Sequence, residues 1–251
     1  MLKNETMTRR IIHIAQTDST NRYLHDIKCE GEDMTVVVAD YQTAGRGQGS
    51  NSWESEPEKN LLMSIRVCPT MVPPRRQFIL SEAGALAVGK TLADYTDGIS
   101  LKWPNDIYWN DCKISGTLIE TTVSGMALAT CTFGIGINVN QHVFRSDAPN
   151  PVSLYQILGH EVPVEEVMHR VLDALEQQLE SVWKGDFTAV SRRYHQHLYR
   201  QQGFHPYSDA HGPFMAELLH VEDDGHLVLR DTTGLIRQYA FKEVAYMINQ
   251  L

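Results

Sequence analysis

The stretch LKWPNDIYWNDCKISGTLIE, residues 101–120, decides the fold that we expect for this chain. An apolar run ends at the PND turn of residues 104–106, because proline cannot donate to a β-ladder and Asn and Asp favour turns. Residues 107–109 predict a short strand, and the Asn-Asp pair that follows predicts a hairpin turn. Residues 113–122 predict the returning strand, so the whole stretch indicates antiparallel sheet.

The returning strand carries residues that point to a ligand site. Strict alternation places Gly116 and Leu118 on one face of this strand and Lys113 on the other. Gly116 lets another backbone or a ligand approach closely, because it has no side chain. Lys102, Lys113 and Asp106 then crowd one end of the sheet. Taken alone, the pattern also fits a solvated strand end with the glycine as a bulge.

A glycine-rich segment, QTAGRGQGSNSW at residues 42–53, follows a β-branched run at residues 35–41. That run predicts a strand buried on both faces. Three glycines at alternate positions surround one arginine, so the loop could fold backbone N–H groups around an anion. The spacing is neither a dinucleotide fingerprint nor a Walker phosphate loop. A flexible turn would have the same composition.

Two further motifs fit a ligand site, although each also has an ordinary structural explanation. The run GIGIN at residues 134–138 puts both glycines and Asn138 on one face of a strand predicted over residues 126–139. The backbone could lie flat against a ligand there. A central strand packed under a helix would show the same sequence pattern. The motif DSTN at residues 18–21 offers an N-cap for a helix that begins at Thr20.

The rest of the chain predicts a helix-flanked main part and a small all-β part. Apolar periodicity predicts helices at residues 20–28, 73–95, 152–159, 163–183 and 187–199. Short strands split by turns follow from residue 203, at residues 214–221, 226–230 and 235–241. We therefore predict one large domain, residues 1–200, and a small antiparallel barrel or sheet, residues 201–251.

Composition and charge exclude several classes of protein. The 251 residues are 42% hydrophobic, which is enough to bury a full core. A formal net charge of −9 argues against broad nucleic-acid binding, so an anionic substrate needs a local cluster of cations. No run approaches the ~20 apolar residues of a membrane span. The start lacks the apolar core of a signal peptide, and four scattered cysteines predict reduced thiols, so we expect a cytoplasmic protein without a membrane partner.

The motifs DSTN, YQTAGRG, KWPND with K-x-S-G, and GIGIN follow one another in an order that resembles the catalytic core of the biotin protein ligases. The resemblance implies an α+β fold, a mixed sheet flanked by helices, related to class II aminoacyl-tRNA synthetases and biotin/lipoate ligases. It makes residues 1–200 the catalytic domain and residues 201–251 an SH3-like β-barrel. Some family members also carry an N-terminal DNA-binding domain. Because only residues 1–10 precede the first predicted strand, we expect no such domain and no DNA partner.

The resemblance also implies a two-step reaction. The carboxylate of biotin attacks the α-phosphate of ATP, which gives biotinyl-5′-AMP and pyrophosphate, and a lysine of an apo biotin carboxyl carrier protein then takes the biotinyl group. The two anions repel each other until cations screen them, and Arg46, Lys102 and Lys113 are the cations that the motifs supply. Mg²⁺ is expected on the ATP phosphates, and no protein ligand for it is assigned.

The resemblance implies a role for each residue that matches a family motif. Lys113 would lie between the biotin carboxylate and the α-phosphate, Arg46 would close its loop over the adenylate, and Asp106 would act as orienter or base. The positions that match biotin contacts are Ser19, Thr20, Gln42, Gly45, Arg46, Lys113, Gly116, Leu118, Gly134 and Ile135. The positions that match ATP contacts are Arg46, Gln48, Trp53, Lys102, Asn105, Lys113 and Asn138.

The sequence departs from the family pattern in the glycine-rich loop, and three alternative functions remain open. Gln48 stands where many relatives carry an arginine, so retention of the adenylate is expected to depend more on Arg46 and Lys113. The nearest alternative is a lipoate or octanoate ligase or transferase of the same fold, against which KWPND followed by K-x-S-G argues. A binding module for biotin or nucleotide without turnover would not need both Lys113 and Arg46. A non-enzymatic interaction protein has only the acidic charge and the small β domain in its favour.

Overall fold

A seven-stranded mixed sheet forms the larger part of the protein, in a computed structural model that describes residues 7–49, 51–146 and 148–248. Its strands are β1 (Arg9–Thr17), β2 (Met34–Gln42), β3 (Leu61–Val67), β4 (Ile99–Lys102), β5 (Asp106–Trp109), β6 (Cys112–Ser124) and β7 (Ala127–Ile137). They lie in the order β1-β2-β3-β7-β6-β5-β4, and only the β1–β2 pair is parallel among these strands. The predicted α+β class with a mixed sheet is confirmed.

Helices cover the two faces of this sheet in different ways. They are α1 (Thr20–His25), α2 (Phe78–Ala93), α3 (Leu154–Leu158), α4 (Val164–Trp183) and α5 (Phe187–Gln196). On one face α2 packs against the sheet and is itself covered by α4 and α5, so 12 of its 16 residues are buried. Consecutive residues of β7 point to opposite faces: Phe133 reaches Gly84 of α2, whereas Gly134 lies against Asn21 of α1. The α1 face is the one that carries the motif residues.

A smaller antiparallel sheet follows. Its strands are β8 (His205–Asp209), β9 (Gly212–Val221), β10 (Leu227–Asp231), β11 (Ile236–Tyr239) and β12 (Ala245–Tyr246), in the order β11-β10-β9-β8-β12. Three of these strands were predicted; β8 and β12 were not, because β8 contains a proline and β12 is only two residues long. Within the described residues β11 and β12 stay at opposite edges, so the sheet does not close into a barrel.

The small sheet packs against the end of the large one at the PND turn. Trp103 Nε1 donates to the carbonyl oxygen of Gly225 at 2.9 Å, and the Phe241 ring stands edge-on to the Trp103 ring with centroids 6.4 Å apart. One continuous cluster of buried apolar side chains runs through both sheets. The small sheet therefore supports the turn from which Lys102 and Asp106 project.

The predicted face of Lys113 on β6 is wrong, because the strand contains a bulge. Tyr108 pairs with Lys113 and Ile107 pairs with Ser115, so Ile114 is an extra residue opposite the β5 ladder. A bulge shifts the alternation by one position. Lys113 consequently faces the same side as Gly116, where strict alternation had placed it on the opposite side.

Several predicted helices are shorter in the structure. The helix predicted over residues 73–95 is a 3₁₀ turn at Pro74–Arg76 followed by α2. The last predicted helix ends at Gln196 because the next residues pair with β4. Leu101 N donates to the His197 carbonyl oxygen, and Tyr199 N donates to that of Leu101, both at 2.8 Å. This extended segment protects the edge strand β4.

Two expectations about the environment of the chain can be compared with the structure. All four cysteines are free, as predicted. Across the described residues, each helix is too short or too polar to cross a bilayer.

Glu82 of α2 carries a buried carboxyl group, with the residue only 3% exposed. Ser191 Oγ of α5 donates to Glu82 Oε2 at 2.6 Å, and burial raises the pKa of the Glu82 carboxyl from 4.5 to about 7. The folded state therefore binds this proton more tightly than the unfolded state does. Stability contributed by the protonated form is complete below about pH 4.5 and is lost as the pH rises through about 7.

We expect Glu82→Gln, which keeps an acceptor for Ser191, to be more stable than the wild type at pH 8. The gain is at most roughly 3 kcal/mol, because one pKa unit corresponds to about 1.4 kcal/mol. At pH 5 the two proteins should unfold at similar temperatures. Thermal unfolding followed by circular dichroism at both pH values measures this. A difference that is the same at pH 5 and pH 8 would contradict the assignment.

Candidate active site

An open cavity of about 270 Å³ lies on the α1 face of the large sheet. The glycine-rich loop, the start of α1, the PND turn and strands β6 and β7 form its walls. Every site residue predicted from the sequence lines it except Gly45 and Asn138. The motifs, which are distant in sequence, therefore meet at one place.

One carboxylate in the wall of the cavity lies beside two lysines. Lys113 Nζ lies 2.6 Å from Asp106 Oδ1, and Lys102 Nζ lies 3.9 Å from Asp106 Oδ2. Burial lowers the pKa of Lys102, and Asp106 partly opposes this effect. The rings of Tyr108 and Tyr246 flank Lys102 Nζ at 5.0 and 4.8 Å. This group can supply two positive charges to an anion that displaces or joins Asp106.

Arg46 reaches the cavity from the glycine-rich loop. Its guanidinium lies 3.4 Å from Glu120 Oε1, and both side chains are partly exposed. An exposed pair of this kind is weak, so an anionic ligand can compete for the arginine. Arg46 also pairs across the loop with Ser52, which folds the loop back on itself.

Another part of the cavity is lined by a hydrogen-bonded network of polar side chains that ends at the Glu120 carboxylate. Thr20 donates to Gln42 Oε1 from its backbone N at 2.7 Å and from its Oγ1 at 3.0 Å. Ser64 Oγ lies within hydrogen-bond distance of Thr20 Oγ1 and Asn21 Oδ1. Asn21 Nδ2 donates to Glu120 Oε2 at 2.7 Å. Such a fixed set of donors and acceptors suits a small polar group with both functions.

Glycines make the floor of the cavity flat. Gly116 of β6 pairs with Gly136 of β7, and the indole of Trp53 lies over both. A Cβ atom on Gly136 would lie 2.8 Å from Trp53 Cζ2, and one on Gly116 would lie 3.2 Å from Cζ3. Side chains at these positions would push the loop off the sheet. Trp53 Nε1 is buried and has no hydrogen-bond partner among the described residues.

A comparison with protein families agrees with this architecture. The model of the biotin/lipoate A/B protein ligase family matches residues 13–139, which include the loop, the PND turn and the glycine floor. The chain belongs to this family.

The similarity to individual ligases extends beyond the residues that the family model matches. The chain is 29% identical over 247 residues to the bifunctional ligase/repressor BirA of Bacillus subtilis, which covers 95% of this chain and 75% of that protein. It is 32% identical over 179 residues to the biotin–[acetyl-CoA-carboxylase] ligase of Mycobacterium tuberculosis, covering 69% and 64% of the two chains. The solved structure of the biotin protein ligase from Aquifex aeolicus in complex with biotin and ATP superposes with a TM-score of 0.78 at 26% identity, covering 95% and 99%.

Two predicted site residues of this biotin/lipoate ligase family member lie outside the cavity. Gly45 closes the loop, because its carbonyl oxygen accepts from Trp53 N at 2.9 Å. Asn138 is buried and its Nδ2 donates to the Val152 carbonyl oxygen at 3.0 Å. Its role toward the nucleotide stays a prediction.

Sequence reasoning missed residues that line the cavity. Asn21 completes the DSTN motif, and its burial could have been inferred from its place beside Thr20 in α1. Phe241 enters from the small sheet, and no local pattern indicates this. Within the described ranges no three His, Cys, Asp or Glu side chains cluster closely enough to hold a metal ion.

Proposed function

We propose that the chain is an ATP-dependent biotin protein ligase, which forms biotinyl-5′-AMP and transfers the biotinyl group to a lysine of a biotin carboxyl carrier protein. The observation that carries this proposal is the meeting of Arg46, Lys102 and Lys113 around one cavity, beside a hydrogen-bonded network of polar side chains. The similarity to ligases named for biotin, and to a structure holding biotin and ATP, supports it.

The first step joins two anions. The carboxylate of biotin attacks the α-phosphorus of ATP, a P–O bond to biotin forms, and pyrophosphate leaves with the bonding electron pair. Lys113 is the cation best located for the developing charge, because the bulge in β6 turns it into the cavity beside Gly116. Asp106 orients Lys113 and Lys102 before ATP arrives.

Biotin is assigned to the part of the cavity that contains the polar network of Thr20 and Gln42. The ureido group of biotin carries both N–H donors and a carbonyl acceptor, which Ser19, Thr20 and Gln42 can match. Leu118, Gly134 and Ile135 form the wall beside it. Gly45 acts here indirectly, because it shapes the loop that bears Arg46.

The nucleotide end is assigned to the residues near the PND turn. Asn105, Lys102, Trp53 and Gln48 line this side of the cavity. Asp106 is the one carboxylate that lines the cavity among the described residues, and lysines already engage it. We therefore assign Mg²⁺ to the ATP phosphates without a protein ligand, where the ion would neutralise phosphate charge.

The second step transfers the biotinyl group to a carrier lysine. The incoming amine must lose a proton as it attacks the acyl carbon, and AMP then leaves. Asp106 can accept that proton once an occupied site has drawn Lys113 toward the adenylate. We assign residues 1–200 as the catalytic domain and residues 201–251, which contain the small sheet, as the SH3-like domain. We assign the enzyme to the cytoplasm.

Biotin-dependent exchange of labelled pyrophosphate into ATP tests the function directly. We expect exchange with biotin and none with lipoate or octanoate, and we expect labelled biotin to enter an apo carrier domain. Exchange with lipoate alone would favour the lipoate ligase alternative. Binding of biotin without exchange, in the presence of ATP and Mg²⁺, would make the chain a binding module.

A further inference from the structure

A cavity of about 280 Å³, here called the rear cavity, lies on the α2 face of the large sheet. Residues of α2, α4 and α5 and of the edge strand β4 form its walls. It shares no lining residue with the active-site cavity, which lies on the α1 face. An occupant of the rear cavity would therefore touch none of the residues proposed for biotin or ATP.

Much of the lining of the rear cavity is apolar. Leu86 of α2 and Leu101 of β4 are 8% and 2% exposed, whereas Ala93 and Ile99 are more accessible and mark the opening. Gly89 brings α2 close to β4, because a Cβ atom there would lie 2.6 Å from Leu101 Cδ2. Ligand pockets are mostly apolar and begin at roughly 300 Å³, so this space suits the alkyl part of a small molecule.

The charged groups that line the rear cavity are positive. Lys90 of α2 and Arg193 of α5 are both part of the lining, and His197 follows α5 there. None of the described residues that line it is a carboxylate. This contrasts with the whole chain, whose formal net charge is −9. The local potential therefore favours an anion.

Arg193 has hydrogen-bonding capacity that the protein does not use. Its Nη2 donates to Gln178 Oε1 at 2.9 Å, whereas its Nε is buried and has no partner among the described residues. A buried N–H group without an acceptor costs free energy, which a ligand oxygen would recover. The planar guanidinium matches the two oxygens of a carboxylate, so a carboxylate head group suits this arginine.

We propose that the rear cavity binds an alkyl carboxylate, with its chain against Leu86 and Leu101 and its carboxylate on Arg193. Lys90, whose Nζ donates to Gln177 Oε1 at 2.8 Å, adds a second positive charge to the lining. This binding is independent of the proposed ligase reaction. Leu101 directly precedes Lys102 in β4, so the ligand would contact the strand from which Lys102 projects.

Titration calorimetry with nonanoate, below its micelle concentration, tests this site on the intact chain. We expect nonanoate to bind, and 1-nonanol and acetate to bind at least about 10-fold more weakly, because each lacks one half of the ligand. Arg193→Met should weaken nonanoate binding about 10-fold through the lost charged hydrogen bond. Ala93→Trp leaves Arg193 in place and should block the opening, and Ala93 is exposed, so the fold should tolerate it.

Arg192→Met is the matched control, because Arg192 is the preceding residue of α5, is exposed and does not line the rear cavity. It should bind nonanoate as the wild type does. Lys113→Ala should do so as well, since Lys113 belongs to the other cavity.

Four results would overturn the proposal: no nonanoate binding by the wild type, equal binding of nonanoate and 1-nonanol, wild-type affinity in folded Arg193→Met or Ala93→Trp, or lost binding in Lys113→Ala. The last would place the carboxylate in the active-site cavity. These titrations need neither biotin nor ATP, so their outcome is separate from that of pyrophosphate exchange.

Discussion

Lys113→Ala should lower the rate of biotin-dependent pyrophosphate exchange by on the order of 10²–10³, the usual cost of removing a donor that stabilises transition-state charge. The structure supplies the reason, because the β6 bulge aims Lys113 Nζ at Asp106 and the cavity. The loss should fall mainly on kcat, since Lys113 acts where charge develops during the reaction. Biotin affinity measured by calorimetry should fall much less.

The fold should tolerate this change. Asp106 keeps Lys102 as a nearby cation, so no carboxylate is left without a positive neighbour. Lys59→Ala is the matched control: Lys59 is a lysine paired with Glu161 outside the cavity, and its replacement should leave exchange unchanged. Exchange by Lys113→Ala within tenfold of the wild type would remove Lys113 from the chemistry.

The sequence predicted the main sheet well because its strands are β-branched, apolar and bounded by clear turns. It also identified 14 of the 23 residues that line the cavity, since each motif is a local signal. It could not predict which face Lys113 occupies. That depends on Ile114 being extra opposite β5, and a bulge is decided by strand pairing rather than by alternation within one strand.

Local sequence patterns also could not predict which residues of the small domain contact the active site and the glycine-rich loop. Phe241 lines the active site and Lys242 reaches the glycine-rich loop only because the two sheets pack together. The hydrogen bond from Trp103 to Gly225 helps to fix that packing, and nothing near Trp103 in sequence indicates its partner. Non-local contacts of this kind follow from the tertiary fold alone.

Gly134→Val is the second change with a large expected effect, on biotin binding. A Cβ atom at Gly134 would lie 2.9 Å from Asn21 Nδ2, and Asn21 is held by Ser64 and Glu120. The valine therefore displaces Asn21 into the cavity or lifts the start of α1 from the sheet. Overpacking of this kind costs ~1–3 kcal/mol, so we expect biotin affinity to fall on the order of 100-fold by calorimetry.

The matched control for this change is Thr132→Val. Thr132 lies two residues earlier on the same face of β7 but outside the cavity, so the variant introduces the same side chain into the same strand. It should bind biotin as the wild type does. If Gly134→Val also bound biotin with wild-type affinity while remaining folded, the pocket beside Asn21 could not be the biotin site. The hydrogen-bonding network would then hold α1 against β3 and serve no ligand.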